Sequence, residues 1–112
     1  MPASYEVTLT PSALGDVERL YQFLRDKNPA AADRMLTAIK VTIARLSTMP
    51  LVGRPLPETV LRALVVRFGK GGYVCVYEVT GRSVLVARVF HGREDRNVGL
   101  SGLIAPPDPR GD

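Results

Sequence analysis

The feature that most constrains the fold is a pair of matching helix-start signals early in the chain. Each signal is a polar residue that can cap a helix N-terminus followed by a proline, as Thr10-Pro11 and Asn28-Pro29. Because proline is not tolerated in a helix interior, the second pair divides one long amphipathic stretch into two. Two amphipathic helices joined by a very short turn predict an antiparallel helical hairpin.

Apolar residues at three- and four-residue steps give each predicted helix one buried stripe. The first stripe consists of Leu14, Val17, Leu20 or Tyr21, and Leu24, on a helix that ends near Lys27. The second consists of Leu36, Ile39, Ile43 and Leu46, on a helix that Pro50 and Gly53 terminate. The acidic side chains of the first half fall mostly on helix faces that we expect to be solvated, and no two of them resemble a metal or glycosidase pair. They are Glu6, Asp16, Glu18, Asp26 and Asp33.

Strand patterns lie on both sides of the hairpin. Residues 5–9 alternate between apolar and polar, and residues 61–68, 73–79 and 84–91 are rich in valine and aromatic residues. Short glycine-containing turns separate the last three, which predicts an antiparallel meander. With the first strand added and the hairpin covering one face, the chain is predicted to form a two-layer α+β sandwich.

The length of 112 residues allows one domain, which we assign to residues 1–97. Residues 98–112 contain Pro106-Pro107-Asp108-Pro109 and are expected to form a flexible tail. No apolar run is long enough to span a membrane, and we expect no secretory signal, because the first residues lack its basic and apolar regions. A single cysteine and a single histidine leave no set of ligands for a structural zinc ion. We expect a cytoplasmic protein without cofactor or metal.

The positive charge is concentrated in the second half of the chain. The net charge is +4, and the basic side chains of residues 51–97 are almost all arginine. Arginine favours bidentate contacts with carboxylates and phosphates, so an acidic protein or a nucleic acid is the expected partner. A solubilising surface explains the same charge without a partner.

The most suggestive stretch for chemistry is His91-Gly92-Arg93-Glu94-Asp95-Arg96, where the last strand ends. A histidine beside two arginines is suited to acid–base chemistry next to a phosphate clamp, as RNA cleavage requires. A polar strand end with locally paired charges is the alternative. Arg67 is expected to share this end or face with Arg93, and Lys70 lies at the tip of a flexible glycine hairpin. Cys75, inside an apolar strand, is expected in the core.

The order of several short motifs resembles the ParE/RelE superfamily, the toxins of bacterial type II toxin-antitoxin modules. The motifs are Tyr5-Glu-Val-Thr-Leu-Thr-Pro, Asn28-Pro29-Ala-Ala-Ala, Met49-Pro50-Leu-Val-Gly53-Arg54-Pro55, Leu61-Arg62-Ala-Leu-Val-Val, Tyr73-Val-Cys-Val-Tyr77 and Val89-Phe-His91-Gly-Arg93. They cover residues 4–97. The resemblance implies a helical hairpin packed on a curved antiparallel sheet. It also implies a hetero-oligomer with an acidic, partly disordered antitoxin that wraps the toxin through a helix or strand.

The resemblance implies one of two targets. RelE-like members cleave messenger RNA on the ribosome. Their cleavage site consists of two basic residues on the second strand, an arginine after the Gly-Tyr that opens the third strand, and an arginine followed by a tyrosine near the C-terminus. Arg67 and Arg93 match two of the cleavage-site positions, but Val65 and Val74 occupy two others, and no tyrosine follows Tyr77. These departures favour the ParE-like alternative, a non-enzymatic inhibitor of DNA gyrase that causes growth arrest.

The expected target- or antitoxin-binding residues form one set. They are Arg62, Arg67, Lys70, Tyr73, His91, Arg93 and Arg96. No catalytic residue is expected in a gyrase inhibitor, whereas Arg67, His91 and Arg93 are the candidates if the protein is an mRNA endoribonuclease. A degenerate protein that binds only its antitoxin is the third possibility.

Overall fold

The computed structural model describes residues 4–68 and 72–91. The elements are β1 (Glu6–Leu9), α1 (Pro11–Lys27), α2 (Pro29–Thr48), β2 (Arg54–Pro55), β3 (Leu61–Val66), β4 (Tyr73–Thr80) and β5 (Ser83–His91). In the described part of the chain the strands form one sheet in the order β1-β5-β4-β3-β2, with both helices packed on one face. The predicted two-layer α+β architecture is confirmed. None of the described helices is long and apolar enough to span a bilayer.

Both predicted helix starts are confirmed by their capping bonds. The Thr10 hydroxyl accepts a hydrogen bond from the Ala13 N–H at 3.0 Å, and the Asn28 side chain accepts one from the Ala31 N–H at 3.1 Å. The Asn28 N–H also donates to the Leu24 carbonyl at 2.6 Å, so one residue ends α1 and begins α2. This double role makes the hairpin turn very short.

The sheet is mixed, which corrects the expectation of a wholly antiparallel sheet. β3, β4 and β5 form the predicted antiparallel meander, but β1 pairs with β5 in parallel. No short turn connects β1 to β5, so local turn geometry does not set their relative direction. The two-residue strand β2, which the sequence analysis did not predict, pairs Arg54 with Ala63 at the edge of β3.

Buried side chains occupy both faces of the sheet. The helix face, where α1 and α2 pack, holds the larger cluster, including Met35, Leu46 and Tyr77. The other face, here called the open face, holds a smaller cluster of Leu56, Ala63, Val74, Val76 and Phe90, with Leu61 packed against it. β4 is buried on both faces, as its central place in the sheet requires.

The buried stripe of α1 differs from the predicted one near its N-terminus. Leu14 is exposed, and the buried residues are Ala13, Asp16 and Leu20. Thr10 sets this rotation, because its N–H and hydroxyl donate to β5 carbonyls and hold the first helical turn beside that strand. The stripe predicted for α2 is confirmed, with Leu36 and Ile43 partly buried and Ile39 and Leu46 buried. The predicted tail, residues 98–112, lies outside the described residues.

Candidate functional site

One end of the sheet collects several of the predicted contact residues. β3 and β5 end there and β4 begins, so that Val66, Tyr73 and His91 are neighbours in register. We call this the His91 end. Arg67 follows β3 directly and is exposed at the same end. Three further predicted residues, Lys70, Arg93 and Arg96, lie outside the described residues.

His91 packs against an aromatic neighbour. Its half-buried ring meets the Tyr73 ring edge-on, with centroids 5.6 Å apart and planes at 87°. Tyr73 also contacts the Phe68 ring at 5.7 Å and is only 3% exposed, and burial raises its pKa. The ring thus belongs to the core of the helix face, and its assignment as a contact residue stays a prediction.

Arg67 and His91 share one end of the sheet but differ in the face they approach. His91 stacks on Tyr73, a helix-face residue. Arg67 comes one residue after Val66, which also belongs to the helix face, and the alternation of an extended chain directs it to the open face. The described part of the predicted site therefore places its histidine and arginine on opposite sides of the sheet.

Arg62 is engaged in holding the connector between α2 and β3. Its guanidinium donates to the Gly53 carbonyl at 2.7 Å and to the Leu51 carbonyl at 3.2 Å. The Gly53 N–H in turn donates to the Tyr77 hydroxyl at 2.8 Å. Arg62 pairs with Tyr77, far along β3 from the His91 end, so it does not extend the surface around Arg67.

The sequence analysis was wrong about the position of Asp16. Expected at a solvated position, it is 5% exposed and accepts two hydrogen bonds from Arg88, at 2.7 and 2.8 Å. It also accepts the Val89 N–H at 2.9 Å. β1 ends opposite Val86, so the carboxylate takes the place of a strand partner for the β5 backbone beyond that point.

A signal for this role was present in the sequence. Ala13, Asp16 and Leu20 follow one another at steps of three and four, which places the carboxylate on the buried stripe of α1. A carboxylate on a buried stripe requires hydrogen-bond or charge partners. The partners belong to β5, far away in sequence, and the pattern on α1 does not identify them.

The open face carries valines, Val65 and Val74, at the two positions where the RelE-like cleavage site is expected to carry cations. Its rows across β3, β4 and β5 are Val65–Val74–Phe90, Ala63–Val76–Arg88 and Leu61–Glu78–Leu85. Arg88, the cation in these rows, binds Asp16 and lies 5.2 Å above the Phe90 ring. Of the two valines that stand at the expected basic positions, Val65 is exposed and Val74 is buried in the open-face cluster.

Other chemistries find little support in the described residues. Cys75 is buried as predicted, and burial raises its pKa to about 12, which suppresses the nucleophilic thiolate. The described residues contain no cluster of three or more histidine, cysteine, aspartate or glutamate side chains able to hold a metal ion.

Comparison with known proteins places the chain among small bacterial toxins. The family model for the ParE toxin of the type II toxin-antitoxin system, parDE, matches residues 7–96. Toxin RelE1 of Caulobacter vibrioides is 32% identical over 93 residues, covering 83% of this chain and 99% of the relative. Toxin RelE3 of the same organism is 36% identical over 90 residues, covering 80% and 97%.

Solved structures share the fold. A structure of the chromosomal ParDE TA system from P. aeruginosa matches with a TM-score of 0.66 at 18% identity, covering 78% of this chain and 95% of that one. The toxin-antitoxin complex RelBE2 from Mycobacterium tuberculosis matches with a TM-score of 0.58 at 26% identity, covering 80% and 99%. The likeness therefore extends to structures described as ParDE and as RelBE.

Proposed function

This chain belongs to the ParE/RelE toxin family of type II toxin-antitoxin systems, and from that premise we propose that it inhibits DNA gyrase by binding it. The observation that carries this proposal is the apolar open face. Val65 and Val74 stand side by side there, at positions where the RNA-cleaving members are expected to carry cations. Without cations at these two positions, the face is poorly suited to phosphodiester cleavage.

Cleavage of an RNA backbone needs preorganised positive charge at the phosphate and a proton-transfer group within hydrogen-bond reach. Arg88 is neutralised by the Asp16 carboxylate. His91 stacks on the helix face, while Arg67 is directed to the other face. Among the described residues, no site therefore combines the positive charge with the proton-transfer group.

The proposed contact with gyrase is made by arginines at the His91 end. Arg67 is exposed there and Lys70 follows it closely in the chain, while Arg93 and Arg96 come shortly after His91. Guanidinium groups form bidentate contacts with carboxylates, so an acidic surface of the target is the natural counterpart. Such contacts contribute to association rate and specificity without requiring a reaction step.

We also propose that a cognate acidic antitoxin neutralises the toxin in the cytoplasm, forming a hetero-oligomer. The net charge of +4 and its concentration in residues 51–97 support an acidic partner. The matched structures are described as toxin-antitoxin systems, which supports the same kind of assembly here.

The test is a DNA gyrase supercoiling and cleavage assay with purified, antitoxin-free protein. Arg67→Ala and Arg93→Ala are expected to lose inhibition at least about tenfold, while their thermal stability stays that of the wild type. Arg82→Ala is the matched control, because Arg82 is an exposed arginine in the β4–β5 turn, at the opposite end of the sheet. Absence of inhibition at large excess of toxin would overturn the gyrase assignment.

The second candidate is ribosome-dependent cleavage of mRNA, and the names of the two Caulobacter relatives favour it. The same preparations, added to translating ribosomes, distinguish the two functions by the appearance of cut mRNA. If cleavage occurs, His91→Ala and Arg93→Ala are the variants that should abolish it. Expression without antitoxin tests toxicity itself, since normal growth would identify a protein that only binds its antitoxin.

A further inference from the structure

A line of exposed side chains runs along α2 into the connector that follows it. Val41, Arg45 and Met49 succeed one another at steps of four, so they lie on one face of the helix and its C-cap. Val41 is 62% exposed, Met49 is 53% exposed, and Leu51, two residues further on, is 63% exposed. A line of exposed aliphatic side chains, in contrast to single ones scattered over a surface, is typical of a protein contact surface.

Arg62 brings a second guanidinium group to this line, since it donates to the Leu51 carbonyl at 3.2 Å. Burial raises the pKa of the Tyr77 hydroxyl, while the Gly53 hydrogen bond and the positive charges of Arg62 and Arg45 lower it. Both guanidinium groups therefore lie within electrostatic reach of one hydroxyl. In the described part of the chain, neither of them forms an ion pair with a carboxylate. We call the following residues the connector surface: Val41, Arg45, Met49, Leu51 and Arg62.

The stretch of sequence that carries most of this surface is basic throughout. Residues 34–57 contain four basic side chains and no acidic one. The four are Arg34, Lys40, Arg45 and Arg54, and all of them are exposed. Because like charges repel and opposite charges attract across an interface, this stretch favours an acidic partner.

The aliphatic side chains of the connector surface favour a protein partner over a nucleic acid. Single-stranded nucleic acids stack their bases on aromatic side chains, and the connector surface consists of aliphatic residues and arginines. Methionine and arginine are enriched at protein–protein interfaces, where apolar contact and charge pairing occur together. The chemistry that fits is an acidic peptide segment with an apolar stripe.

We propose that the connector surface binds an acidic amphipathic helix of the antitoxin. Side chains at steps of four form a ridge on α2, and such a ridge packs into the groove of a second helix. The apolar stripe of the bound helix covers Val41, Met49 and Leu51, and its carboxylates pair with Arg45 and Arg62. The inference rests on the antitoxin proposed above and does not depend on gyrase as the target.

The connector surface is separate from the proposed gyrase contact. Arg62 stands opposite Tyr77 on β4, whereas the His91 end begins where Val66 stands opposite Tyr73. Since the two surfaces share no residue, changes in one are expected to leave the function of the other intact. Antitoxin binding and gyrase inhibition are therefore separable by mutation.

Calorimetric titration of the full-length chain with the acidic protein encoded by the neighbouring gene tests the proposal. Arg45→Glu and Met49→Glu are each expected to weaken binding at least about tenfold. Both side chains are exposed, so each variant should still unfold well above the assay temperature. Arg25→Glu and Phe23→Glu are the matched controls, at exposed positions of α1. They lie roughly 20 Å away along the hairpin at 1.5 Å per helical residue, and they should bind as the wild type does.

Each result separates the docking surface from the function proposed above. Unchanged affinity of Arg45→Glu and Met49→Glu would overturn the docking surface, and so would equal losses in the two α1 controls. A wild-type chain that does not bind the neighbouring protein refutes the proposed antitoxin, and the docking surface with it. In the supercoiling assay both variants are expected to inhibit gyrase as the wild type does. Loss of inhibition with antitoxin binding intact would assign the connector surface to gyrase instead.

Discussion

Replacing Asp16 by alanine is expected to destabilise the fold strongly, because one carboxylate serves two partners on β5. The change removes the bidentate bond to Arg88 and leaves the Val89 N–H, which is bonded at 2.9 Å, without its acceptor. Losing one partner of a buried ion pair typically costs about 3–5 kcal/mol, and an unsatisfied buried N–H about 1–3 kcal/mol.

The two costs overlap, and solvent reduces the first of them. The Arg88 side chain is 22% exposed, so water can solvate the released guanidinium in part. We therefore expect a loss of about 2–4 kcal/mol in the free energy of unfolding. For a domain of this size that corresponds to a fall in melting temperature of roughly 10–25 °C.

Urea and thermal unfolding measure this effect directly. Glu18→Ala is the matched control, since it removes an exposed carboxylate from the same helix and should change stability by no more than about 0.5 kcal/mol. Asp16→Asn is expected to fall between the two, because the amide oxygen still accepts the Val89 N–H while the charge is lost. An Asp16→Ala variant as stable as Glu18→Ala would refute the assignment of Asp16 as the partner of the β5 backbone.

Further predictions concern the connector and the two-sided core. Tyr77→Phe removes the 2.8 Å bond from the Gly53 N–H and should cost about 1–3 kcal/mol in urea unfolding; an unchanged midpoint would mean that this bond contributes nothing. Leu46→Ala should cost about 2–5 kcal/mol and exposed Val41→Ala at most about 0.5, so equal losses would contradict the buried face of α2. Cys75, with a pKa raised to about 12 by burial, should resist a thiol reagent at pH 8 until the protein unfolds, and rapid labelling of the native state would refute its burial.

Much of the fold was predictable because its signals are local. The caps at Thr10 and Asn28 act within one helical turn, and the residues that make them are adjacent to the prolines that accompany them. The meander depends on turns of a few residues between valine-rich strands. Capping and turn preferences operate over short stretches of chain, so a single sequence carries them in full.

The candidate site was predictable only as a set of residues near one end of the sheet. Arg67 and His91 do lie at the same end, but the face that each side chain approaches depends on strand alternation and on the ring of Tyr73. Tyr73 illustrates the limit, since its residue type suits both a binding surface and a core. Its place in the core follows from packing against Phe68 and His91.

The features that the sequence did not predict depend on contacts between distant parts of the chain. The parallel pairing of β1 with β5, the pairing of Arg54 with Ala63 and the burial of Asp16 beside Arg88 all join residues that no local pattern links. Helix caps, turns and apolar periodicity are properties of neighbouring residues and are written in the order of the amino acids. The β5 backbone needs a hydrogen-bond partner beyond the point where β1 ends, and Asp16 supplies that partner. Both the end of the β1–β5 pairing and the position of Asp16 beside it are decided only when the whole chain has packed.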